Sequence, residues 1–66
     1  MESKESEYVT DMIKTALEYL GEATVAIRHA KEFAETPRYK VSLTFTQERL
    51  ERLKSQLKRL VGEIRY

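Results

Sequence analysis

Between Val9 and Ala34 the apolar or small residues fall at Val9, Ile13, Ala16, Leu20, Ala23, Ile27, Ala30 and Ala34, with gaps alternating four and three. This is a heptad seam, the mark of a helix that buries one side against other helices. A second row, Met12, Tyr19, Ala26 and Phe33, recurs every seven residues beside it. The two rows together make a stripe wider than a two-stranded coil requires, of the kind a bundle helix carries. The spacing predicts a helix over about residues 5–35. Its start is acidic, with Glu2, Glu5 and Glu7 near the positive end of the helix dipole, and Ser3 or Ser6 is the candidate N-cap. Its end is set at Thr36–Pro37, because a residue before proline avoids helical backbone angles and proline interrupts the hydrogen-bond ladder. Gly21 interrupts an otherwise favourable helix and marks a kink or a close approach by another backbone.

The pattern then changes period. From Tyr39 to Thr46 apolar and polar residues alternate, with Tyr39, Val41, Leu43 and Phe45 against Lys40, Ser42, Thr44 and Thr46. Alternation of this kind predicts an extended β segment over about residues 38–45. Helical spacing resumes with Leu50, Leu53, Leu57, Leu60 and Ile64, predicting a second helix over about residues 46–64. Thr44 and Gln47 have the spacing of a capping box, with Thr46 as the alternative cap. A single strand has two unpaired edges, so its natural partner is the same strand of a second copy.

Chain length sharpens this picture. With 66 residues there is one domain, residues 1–66, and little core. Chains this small are normally held by disulfides, a metal or another subunit. The sequence has no cysteine and one histidine, which leaves association. The expected architecture is mainly α: a long helix, a short extended segment and a second helix, forming a hairpin that assembles as a homodimeric bundle or a tetramer. The interface residues expected from the seams are Val9, Met12, Ile13, Ala16, Tyr19, Leu20, Ala23, Ile27, Ala30 and Phe33 in the first helix. In the second they are Leu50, Leu53, Leu57, Leu60 and Ile64. Ala16, Ala23 and Ala30 recur at seven-residue intervals and would let two helices approach closely. No apolar run is long enough to span a membrane. The charged N-terminus does not read as a secretory signal, and lack of cysteine suits the cytoplasm.

Charge is uneven. Residues 1–36 carry four Lys/Arg and eight Asp/Glu, net −4, whereas residues 37–66 carry eight and three, net +5. Either the two halves lie side by side and complement each other, or the basic half binds an anion such as nucleic acid. The stretch KVSLTFTQERLERL bears on the second option. It resembles the strand and first helix of the ribbon-helix-helix DNA-binding family, over about 14 residues. That resemblance implies a paired ribbon in the major groove with Lys40, Ser42 and Thr44, together with Arg38, facing the bases. The chain departs from the family in placing a long helix before the strand and lacking the family's second helix.

The chemistry-bearing residues do not converge. Gly21 and Gly62 are isolated and form no phosphate loop. His29 lies off the seam and reads as a surface residue, without the Glu-x-x-His spacing of a bundle metal site. Glu18, Glu22 and Glu32 read as a solvated acidic side. Tyr66 reads as a fraying terminus or a docking tail. No enzyme, cofactor or metal is expected. The leading expectation is a small oligomeric protein–protein interaction or regulatory module, adaptor-like or inhibitor-like. The alternative is a nucleic-acid-binding regulator using the ribbon and the basic second helix.

Overall fold

The computed structural model describes residues 4–65 and places them in two helices, α1 (Lys4–Phe33) and α2 (Pro37–Arg65). Glu2, the candidate cap Ser3 and Tyr66 lie outside the described residues. Ser6 falls inside α1 rather than at its cap. The helices pack against each other as an antiparallel hairpin.

The reversal between them is short, and its hydrogen bonds are satisfied locally. The Ala34 N–H donates to the Ala30 carbonyl at 2.9 Å and closes α1. The Thr36 carbonyl then accepts from Tyr39 and Lys40 at 3.0 and 3.1 Å, opening α2. Thr36 therefore stands at the N-cap position and Pro37 is the first helical residue, where its missing N–H costs nothing. The proline that stops one helix also starts the next.

That start overturns the expected β segment. Residues 38–45 are helical, and no strand occurs among the described residues. The reason lies in a second period hidden under the alternation. Leu43, Leu50, Leu57 and Ile64 recur every seven residues, so the helical stripe of α2 extends back past Thr46 without a turn signal to stop it. An isolated strand would leave both edges unpaired, whereas a helix satisfies its own backbone groups. The capping box is replaced as well. The Thr44 hydroxyl donates to the Lys40 carbonyl at 2.9 Å and that of Thr46 to the Ser42 carbonyl at 3.0 Å. Both threonines thus bond back within a continuing helix.

The seam between the helices follows strict heptad spacing. In α1 the less exposed positions include Thr10, Ile13, Leu17, Leu20, Thr24 and Ile27. In α2 they include Leu43, Gln47, Leu50, Lys54, Leu57, Val61 and Ile64. Burial along this seam is shallow. Ile13, at 9% exposure, is the one buried apolar residue among those described, and its buried companions are Thr10 and Thr24. The Thr24 hydroxyl donates to the Leu20 carbonyl at 2.7 Å, which satisfies it inside the helix.

Shape explains the thin core. The hairpin measures 52 × 15 × 11 Å, and its radius of gyration is 15.4 Å. A compact chain of this length would have a radius near ~11 Å. Its accessible surface is 5569 Å², against about 4,400 Å² for a globular monomer of the same mass. The excess, on the order of 1,000 Å², exceeds the ~800 Å² that each partner buries in a standard stable interface.

Candidate functional site: a one-sided apolar face

Among the described residues, six of the ten large apolar ones that the hairpin leaves exposed, Met12, Tyr19, Phe33, Tyr39, Leu53 and Leu60, share one side of it. In α1 the row Val9, Met12, Ala16, Tyr19, Ala23, Ala26, Ala30, Phe33 repeats with gaps of three and four. It lies roughly a quarter-turn behind the seam, at 100° per residue. In α2 the heptad row Tyr39, Thr46, Leu53, Leu60 lies on the same rotational side of its seam. The chain reverses between the helices, so equal rotational offsets put both rows on one side of the hairpin. Phe33 is 84% exposed, Tyr19 67% and Tyr39 61%, while Met12, Leu53 and Leu60 are also exposed.

The opposite side differs in character. Lys14, Arg28 and Lys58 fall there by helical position, together with Glu18 and Glu51, and all five are exposed. Lys54 reaches Glu51 at 3.8 Å. Both glycines also lie on that side, and a Cβ added at either would meet nothing within 4 Å. Gly21 therefore marks no close backbone approach within the hairpin. Val25 and Val41 are exposed apolar residues on that side, and Tyr8 and Phe45 are exposed on the outer backs of the two helices. The hairpin is amphipathic as a unit, beyond the amphipathicity of each helix.

The expected interface residues divide between two roles. Ile13, Leu20, Ile27, Leu50, Leu57 and Ile64 are turned toward the seam and hold the hairpin together. Met12, Tyr19, Ala30, Phe33, Leu53 and Leu60 are exposed on the apolar face, with Val9, Ala16 and Ala23 half-buried along its inner edge. Sequence reasoning merged these rows into one stripe. It left out Leu17, which lies on the seam, and Thr10 and Thr24, which are among its most buried residues. The signal for them was the three-four spacing itself, obscured because threonine reads as polar.

Charge is distributed along the outer edges of the apolar face. On the α1 side stand Glu22 and His29, and on the α2 side Arg38 and Arg49, all exposed. His29 Nδ1 lies 3.7 Å from Glu32, an exposed contact of little energetic weight. Among the described residues no cluster of three or more His, Cys, Asp or Glu could hold a metal ion.

The residues expected to face nucleic-acid bases do not share a face. In α2, Arg38 and Ser42 lie on one side and Lys40 and Thr44 on another, because one helical turn replaces the alternation of a strand. Near them a depression lined by Lys40, Val41, Thr44, Phe45 and Glu48 opens broadly to solvent. No described helix is long and apolar enough to cross a membrane.

Fold and surface together define an α-helical hairpin that carries most of its exposed large apolar residues on one face. Comparison with known protein families, curated proteins and solved structures finds no match for this chain.

Proposed function

We propose that this protein is a non-catalytic, cytoplasmic protein–protein interaction module whose working unit is a homodimer joined through the apolar face. One observation carries the reading: among the described residues, six of the ten exposed large apolar side chains share one side of the hairpin, with Phe33, Tyr19 and Tyr39 more than half exposed. A contiguous apolar face of this extent is what helix-binding and self-associating surfaces look like before they are covered. The thin core supports the same reading, because a hairpin that buries one isoleucine gains most of its available apolar burial by association. An adaptor or regulator built this way offers helix faces to a larger complex and needs no cofactor.

The test compares two exposed residues on opposite sides. Tyr19→Lys places a charge on the apolar face, and Val25→Lys places one on the polar face. Light scattering across a concentration series reads the mass. The reading expects Tyr19→Lys to weaken self-association by at least about tenfold and Val25→Lys to leave it unchanged. Equal behaviour of the two variants would refute it.

A second reading, nucleic-acid binding, is favoured by the outer side of α2, where Arg38, Arg52 and Arg59 share one line and are exposed. It no longer involves a ribbon. Binding to a generic duplex that falls steeply with salt, and weakens in Arg52→Ala, would support it; absence of binding at low salt would remove it.

A further inference from the structure

The two helices differ in charge, and their inner rows on the apolar face differ in side-chain size; these differences select one way of pairing two copies. We infer that the apolar face is covered by a second copy of this chain, with the dyad running parallel to the helices. Each α1 then lies on α2 of the second copy, and both connectors sit at the same end of a four-helix bundle. The inference rests on the self-assembly reading above and adds which helices meet.

Two faces can be stacked with two-fold symmetry in two ways. A dyad along the helices sets α1 against the other copy's α2, antiparallel. A dyad across them sets α1 against α1 and α2 against α2, with the connectors at opposite ends. Both helices rise equally away from residues 34–36, so positions whose numbers sum to about 70 stand at the same height in the hairpin. A dyad along the helices carries that register across the interface.

Size complementarity follows. Val9 stands level with Leu60 of the second copy, Ala16 with Leu53, Ala23 with Thr46, and Ala30 with Tyr39. The small inner row of α1 thus opposes the larger inner row of α2, which is how layers of a bundle interdigitate. The crosswise arrangement would instead set the inner alanines of α1 against each other, bring its larger outer residues Met12, Tyr19 and Phe33 beside their own copies, and leave Leu53, Leu60 and Tyr39 to crowd theirs.

Charge selects the same arrangement. The half containing α1 carries net −4 and the half containing α2 net +5. On the outer edge of the face, Glu22 stands level with Arg49 of the second copy, and symmetry forms the pair twice. A crosswise dyad centred near Ala23 brings Glu22 near Glu22 and Arg49 near Arg49. Opposing like charges across an interface disfavour it, and opposite charges fix register.

Glu35 is exposed in the connector, and the chain has no cysteine, so Glu35→Cys gives one spin label per copy in an otherwise intact protein. With the connectors at one end, the label–label distance should be under about 25 Å. The crosswise arrangement centred near Ala23 puts Glu35 of each copy about twelve residues from the dyad and separates the labels by roughly 36 Å. In parallel, Glu22→Arg and Arg49→Glu should each weaken the dimer about tenfold at low salt, and the double variant should recover to within about threefold. A dimer with a long distance, or a double variant no tighter than the singles, overturns the inference and leaves self-assembly standing. A single-copy mass at every concentration overturns both.

Discussion

Thr24 is the most buried residue described, at 4% exposure, and it belongs to a residue type that a pattern search scores as polar. Its hydroxyl bonds to the Leu20 carbonyl, which the helix ladder already serves. The methyl group, facing the seam, supplies the useful contact. Thr24→Val should therefore be neutral or stabilise by up to about 1 kcal/mol in urea unfolding, and a loss larger than that would show that the hydroxyl has a partner across the seam. Ile13 is the opposite case. Its replacement by Ala should cost about 2–4 kcal/mol, which a core this thin does not withstand without unfolding. Gly21→Ala should stabilise by about 1 kcal/mol, since nothing lies within 4 Å of the added carbon. It should leave assembly unchanged, because the position is on the polar side; weaker association would mean that a partner packs there.

The length of α2 is the element on which pattern and structure part. The first helix was legible almost to its ends: heptad spacing and Thr36–Pro37 predict residues 5–35, and α1 runs Lys4–Phe33. The second was legible from Thr46 onward and misread before it. Val41 and Phe45 produce the alternation, and in the helix they are carried to the outer side, 55% and 61% exposed. Leu43 is the residue of that stretch turned toward the seam. Period two and period seven coincide at Leu43, so eight residues did not separate them, while proline's two roles, as a stop and as a first helical residue, did not reveal which one applied. The candidate site was legible as residues but not as a surface, because dividing the stripe into seam and face requires knowing which helix covers it. The helical account of α2 predicts that Val41→Ala and Phe45→Ala each change stability by less than about 0.5 kcal/mol. Leu43→Ala should cost at least about 1 kcal/mol. Comparable losses at all three positions in thermal unfolding would fit an inward-facing strand and contradict the helix.

At the scale of the molecule, a rod of two helices exposes more surface than its mass warrants, with most of its exposed large apolar side chains on one side. If that side is an interface, folding and association are coupled. A hairpin that buries little by itself should lose helix as the dimer is diluted, so apparent stability rises with concentration. The central claim is that the apolar face is an interface, and sedimentation equilibrium across a wide concentration range tests it most directly. The account predicts a mass of two 7.8 kDa chains at tens of micromolar, with helicity falling as the dimer dissociates. A monomer of 7.8 kDa at every concentration, fully helical and cooperatively folded, would contradict it.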